Sequence, residues 1–243
     1  MSGYELLGSI AAAADIAGAA GQALADATAP IRIQVAGRAG VGRTTVVGVL
    51  ERAGFAHVTE TSAVDAPGSP DPVLDGDVVV YVLSGSPRTP DVDALRRAPR
   101  TGTVALVNKA DLLTSWAVAL RIAAECESET GVPTLPLVGR AAGPGTADGV
   151  GAATAAVAAR VGAARARRDR AVLAAVAEAA AQGPDRDVLE NYLRSDEAVR
   201  LAAQAAESRG GGVADRRRRD LAGRRLHVRT LPDTRPDVPM DVR

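Results

Sequence analysis

Three short segments carry residue types at spacings that could do chemistry. In GRAGVGRT (37–44) the glycines at 37, 40 and 42 free the backbone to curl, and Arg43, Thr44 and Thr45 open a run of helical character. The amides of Gly37, Gly40, Val41 and Gly42 in such a loop, with the positive end of the following helix, can cradle phosphate oxygens. Arg43 would add charge, Thr44 a hydroxyl for Mg2+, and Thr45 a contact to an α-phosphate. In DAPG (65–68), Asp65 could reach Mg2+ through water, and Gly68 could offer its amide to a γ-phosphate. In NKAD (108–111), Asp111 can accept two hydrogen bonds from the ring N–H and exocyclic amine of guanine, which adenine does not offer. Asn108 can hydrogen-bond the base edge and brace the glycine loop, while the stem of Lys109 lies over the ring. Lys109 is the only lysine beside 28 arginines, so N-K-x-D is hard to meet by chance.

Each segment also has a plainer reading: a glycine turn, an Asp-x-Pro-Gly turn, and a strand-to-helix turn capped by aspartate. What favours chemistry is their order and the apolar run before each. Ile31–Ala36 is a short apolar strand before the glycine loop, and Thr44–Arg52 a helix after it, stopped at Ala53-Gly54. Phe55–Val64 supplies one or two short strands. Asp77–Leu83, with its VVVYVL, is a strand buried on both faces. Thr89-Pro90-Asp91 starts a helix to about Arg97, Thr103–Val107 is a strand closed by NKAD, Thr114 caps a helix to Thr130, and Val132–Val138 is the last strand. Such alternation builds a parallel sheet with crossover helices.

Outside this stretch the chain is rich in alanine. Residues 3–28 read as one helix ended by Pro30. Residues 139–149 read as a flexible turn, 146–182 as a helix broken at Gly183-Pro184, and 185–208 as an amphipathic helix stopped by Gly210–Gly212. The remainder, with Arg216–Arg219, Arg224 and Arg225, reads as a mobile tail. The expected organisation is an N-terminal helix (1–29), a nucleotide domain (30–163), a helical extension (164–210) packing with that first helix, and an Arg-rich tail (211–243).

Hydrophobic residues make up 47% of the chain but aromatics only 2%, so the core must be aliphatic. The zero net charge gives no whole-molecule pull toward nucleic acid or anionic membrane. Cys126 is the only cysteine, which excludes an intrachain disulfide and a cysteine-based zinc site and fits a cytoplasmic location. No stretch reaches the roughly 20 strongly apolar residues of a membrane span, and the N-terminus lacks the basic start of a secretory signal. His57 and His227 read as structural or surface residues, and Trp116 and Cys126 as packing residues.

GRAGVGRT, DAPG and NKAD, in that order and each after an apolar strand, make residues 31–163 resemble the TRAFAC-class P-loop GTPases, the group of Ras-like, Era-like and dynamin-like proteins. The resemblance implies a three-layer α/β G domain with a reduced, mostly parallel sheet and flanking helices. It implies GTP or GDP with Mg2+ as ligands and slow hydrolysis coupled to a switch. Gly42, Arg43 and Thr44 would hold phosphates and metal, Asp65 and Gly68 the γ-phosphate region, and Asn108, Lys109 and Asp111 the base. Four departures stand out. Arg43 replaces the family's lysine. Only residues 43–64 separate Gly42 from Asp65, which shortens the first switch and leaves Thr59 or Thr61 as its metal-binding threonine. Ser69 follows DAPG where the family has a glutamine. Val138-Gly139 replaces the family's Ser-Ala, leaving Gly139 to supply a backbone amide. The alternative is therefore a pseudo-GTPase scaffold that binds GTP or GDP without turnover. An ATP-dependent kinase or ATPase is disfavoured, because NKAD has no purpose there. A protein partner for the helical extensions and an acidic partner for the tail complete the expectations.

Overall fold

Val78–Leu83 is an unbroken run of valine, tyrosine and leucine, and all its side chains are buried. In the computed structural model, which describes residues 4–13, 18–140, 148–182 and 185–206, this run is the centre of a five-stranded sheet. The strands are β1 (Ile33–Gly37), β2 (Val58–Glu60), β3 (Val78–Leu83), β4 (Thr103–Val107) and β5 (Thr134–Pro136), in the order β2-β1-β3-β4-β5. Every pairing is parallel, with Val35 beside both Glu60 and Val80, and Leu106 beside both Val82 and Leu135. The sheet is thus wholly rather than mostly parallel among the described residues. It is also reduced, since a single helix joins β1 to β2 with no intervening hairpin.

Alternate strand residues point to opposite faces, and helices cover both. On one face Val46 and Leu50 of α3 (Arg43–Arg52) and Ala153 and Val157 of α6 (Val150–Gln182) pack on Ile33, Val35, Val80 and Leu106. On the other, Leu95 of α4 (Thr89–Arg97) and Ile122 and Cys126 of α5 (Trp116–Thr130) pack on Tyr81, Leu83 and Val107. This is a three-layer α/β domain. Ser115 rather than Thr114 caps α5, accepting from the Val118 amide at 3.3 Å, and Gly131 ends it at φ 70°.

The remaining helices form a second cluster. The segment expected as one helix over 3–28 is two, α1 (Glu5–Ala13) and α2 (Ala19–Thr28), the second opened by Gly18 at φ 78°. The segment expected as one helix over 185–208 also breaks. After α7 (Arg186–Leu193) the Ser195 amide turns back to the Tyr192 carbonyl at 2.8 Å. The Ser195 hydroxyl then accepts from the Ala198 amide at 3.3 Å, starting α8 (196–206) as an N-cap does. Tyr4, Leu7, Ala20, Val172, Val176, Leu189, Tyr192 and Leu201 are the buried centre of this cluster. Helix α6 belongs to both parts: Ala153, Val157 and Ala164 lie against the sheet, and Val172, Val176 and Ala180 in the helical cluster. At the junction Arg168 donates to the Ala29 carbonyl at 2.5 Å and to Asp77 at 2.9 Å, and Asp77 also accepts from the Arg32 amide. The expected break at Gly183-Pro184, most of the turn 139–149, His227 and the Arg-rich tail lie outside the described residues. No described helix is long and apolar enough to cross a membrane.

Candidate functional site

β1 ends at Gly37, where a Cβ would stand 2.5 Å from the Val82 carbonyl oxygen. Only glycine lets the loop leave the sheet so close to β3. Gly40 (φ 77°) and Gly42 (φ 92°, ψ 37°) take left-handed conformations that turn the chain back into α3. Val41, 1% exposed, anchors the loop in the core. Val46 is the first residue of α3 to bond back, to the Gly42 carbonyl at 3.1 Å, so the amides of Arg43, Thr44 and Thr45 have no helical acceptor. The loop lies beyond the carboxyl ends of β1 and β3, where the strand order reverses. That is where ligands of open α/β sheets bind.

Asn108 follows β4 and is 3% exposed. Its Nδ2 donates to the Val41 carbonyl at 3.0 Å, its Oδ1 accepts from the Gly139 amide at 3.1 Å, and its own amide donates to the Leu83 carbonyl at 2.7 Å. Three distant segments are thereby fastened together. There is no room for a side chain at either neighbouring glycine: a Cβ on Gly42 would run into Asn108 Nδ2, and one on Gly139 would stand 2.9 Å from both Asn108 Oδ1 and Thr45 Cγ2. Lys109, itself left-handed at φ 59°, donates from Nζ to the Gly40 carbonyl at 2.7 Å. Asp111 sits exposed on a short 3-10 turn (Ala110–Leu112), and its carboxylate has no hydrogen bond or ion pair among the described residues.

At the start of α3, Thr44 Oγ1 donates to Glu60 Oε2 at 2.7 Å. Arg43 leans away from the loop toward the end of β2: its Nη1 donates to the Thr61 carbonyl at 2.6 Å, and its Nη2 stands 3.4 Å from Glu60 Oε1. No sequence signal marks Glu60, because one acid at the end of a three-residue strand forms no pattern. The candidate threonines face elsewhere, Thr59 donating to the Ile33 carbonyl and Thr61 to the Ser62 carbonyl. Val64 ties the approach to DAPG to the loop, its amide donating to the Gly37 carbonyl at 3.1 Å. Asp65 itself is exposed at φ 58°, with its amide on Asp71 Oδ1 at 2.8 Å, and no hydrogen bond joins it to Thr44. That amide, then Arg97, holds the Asp71 carboxyl below its usual range. Gly68 closes the same turn at φ 75°.

Behind the loop, Arg38 grips Asp91 with Nε at 3.0 and 2.9 Å from its two oxygens. Tyr81 and the Arg88 amide complete the shell of this fully buried carboxylate. This network, which no sequence motif marks, fixes the second loop residue to the start of α4.

The site fits a phosphate-bearing ligand: it offers orphan amides, a cradle that a Cβ would fill, and an exposed carboxylate at its outer edge. It fits a hard cation through its oxygen donors Thr44 and Glu60. No group of three or more His, Cys, Asp or Glu gathers among the described residues, so Mg2+ held here would need phosphate and water oxygens as well.

No protein-family model and no curated protein matches the chain. Among solved structures it is similar to translation elongation factor SelB from Methanococcus maripaludis, in complex with the GTP analogue GppNHp, at 16% identity and a TM-score of 0.39. The likeness covers 54% of this chain and 34% of that one, so this chain spans about a third of that protein's length. The fold assignment rests on the sheet and its covering layers.

Proposed function

We propose that the protein binds GTP and GDP with Mg2+ and hydrolyses GTP slowly, acting as a switch. The observation that carries this reading is the double fastening of NKAD to the glycine loop, through Asn108 to Val41 and Lys109 to Gly40. That fastening would hold phosphate cradle and base-reading edge as one unit, with the Asp111 carboxylate left to accept from the base. In this reading Gly37, Gly40, Val41, Gly42, Thr44 and Thr45 serve the phosphates, with Gly68 near the γ-phosphate. Thr44 serves Mg2+, as Asp65 would through water. Asn108, Lys109, Asp111 and Gly139 serve the base. Titration with fluorescent GDP and GTP is expected to show Mg2+-dependent binding without competition from ATP. Equal affinity for ATP and GTP would sink the reading.

A second reading, a scaffold that holds the nucleotide without turnover, is favoured by Arg43. A guanidinium engaged by Thr61 and Glu60 leaves the phosphates without the point charge a lysine would bring. Single-turnover hydrolysis separates the two readings: no phosphate release over many hours selects the scaffold. In either case the helical extensions would carry a protein partner and the tail an acidic one, in the cytoplasm.

A further inference from the structure

The Thr44 hydroxyl oxygen and Glu60 Oε2 stand 2.7 Å apart. Two oxygens sharing one Mg2+ at adjacent octahedral positions stand about 2.9 Å apart, since each lies ~2.0–2.1 Å from the ion. The pair is therefore already near the spacing that a shared cation requires. Glu60 is also held in place. It pairs with Val35 in the sheet register, two residues before the loop begins, and its other oxygen, Oε1, faces Arg43. Arg43 is in turn fixed by the Thr61 carbonyl. Asp65 has none of this: its amide is drawn to Asp71, and no hydrogen bond brings it to Thr44.

Resting on the guanine-nucleotide reading, we propose that Glu60 is the carboxylate that joins Thr44 on Mg2+, in the role the sequence suggests for Asp65. The donor set is all oxygen, which suits a hard cation, and one carboxylate with phosphate and water oxygens is a usual complement for Mg2+. The Thr44 hydroxyl keeps its proton and turns a lone pair to the ion.

The test uses Mn2+ as probe, titrated into the full-length GDP complex and followed by electron paramagnetic resonance, for the wild type, Glu60→Gln and Asp65→Asn. Glu60→Gln is expected to weaken Mn2+ binding on the order of 10-fold or more, and Asp65→Asn to have the smaller effect. GDP affinity in EDTA separates this role from a merely structural one. If Glu60 only holds Arg43 in place, Glu60→Gln shifts GDP affinity equally with and without metal, and the proposal is overturned. Mn2+ affinity within about twofold of wild type in Glu60→Gln, or a greater loss in Asp65→Asn, also overturns it. A wild type that binds no GDP in either condition instead removes the guanine-nucleotide reading, and the metal assignment with it. Glu60 is exposed on an edge strand, and thermal melting checks that its variants fold. Should Glu60→Gln fail that check, Glu60→Asp, with a carboxylate one methylene shorter, carries the same expectation.

Discussion

Among the described residues the Asp111 carboxylate makes no hydrogen bond or ion pair, so changing it separates recognition from folding. Asp111→Asn is expected to raise the GDP dissociation constant about 100-fold, the worth of two charge-assisted hydrogen bonds at ~1.5 kcal/mol each. It should favour xanthine nucleotides and leave the melting temperature unchanged; a titration and a melting curve on the same sample check both. Arg43 is the opposite case, a residue engaged inside the fold. With Arg43 turned to Thr61 and Glu60 and no glutamine after DAPG, turnover is expected at or below the ~10⁻⁴–10⁻³ s⁻¹ of an unassisted small GTPase. Arg43→Lys frees the charge to reach the phosphates and should raise single-turnover hydrolysis; wild-type turnover near 1 s⁻¹ would refute the argument. Gly139→Ala pushes a methyl group against Asn108 and Thr45, so it should loosen the fastening, weaken GDP and cost about 1–3 kcal/mol of stability by overpacking. The loop and NKAD are visible in sequence because glycines and strand ends mark them. Glu60 and the Arg38–Asp91–Tyr81 network are not, because their partners come together only through strand order.

The strands were legible where burial leaves a continuous apolar run, as in VVVYVL and TVALV. β2 was blurred, because three residues on an edge carry too little pattern. Helix ends were less legible than helices. In an alanine-rich chain the propensity is uniformly high, so a break rests on one residue such as Ser195, whose cap bond depends on how α8 packs. That packing makes a second cap: Glu197 of α8 accepts from the Leu6 and Leu7 amides at 3.0 and 3.2 Å, closing the first turn of α1 from another element. Glu197→Ala should therefore cost about 1 kcal/mol and fray α1, read as faster amide exchange at Leu6 and Leu7. Docking of α7 and α8 has a proteolytic signature too. Arg194, just after α7, and Arg200 in α8 have exposed side chains, but α7 and α8 bury Leu189, Tyr192, Ala198 and Leu201. Brief trypsin treatment should spare both arginines, and early cuts there would mean that these helices do not stay packed.

The whole molecule contains three tyrosines, Tyr4, Tyr81 and Tyr192, each no more than 8% exposed. Burial first, then a nearby carboxylate, pushes every one of their hydroxyls above the usual value. The unfolded chain releases these protons from about pH 10 while the folded chain keeps them, so the tyrosines' contribution to stability is full below pH 10 and falls as pH rises. Each tyrosine contributes a slope of about 1.4 kcal/mol per pH unit, about 4 for the three together. Tyr81 lies in the sheet and the other two in the helical cluster, yet α6 runs through both. Tyrosinate absorbance should therefore rise in one step with loss of circular dichroism. Two-thirds of the signal appearing before the sheet melts would show two independent unfolding units. Mechanically, α6 is a beam clamped at both ends. From Ala164, its last buried apolar contact with the sheet, to Ala180 the beam extends about 24 Å at 1.5 Å per residue. A 5° tilt against the sheet would carry its far end about 2 Å, enough to shift every side chain of the helical cluster against its neighbours.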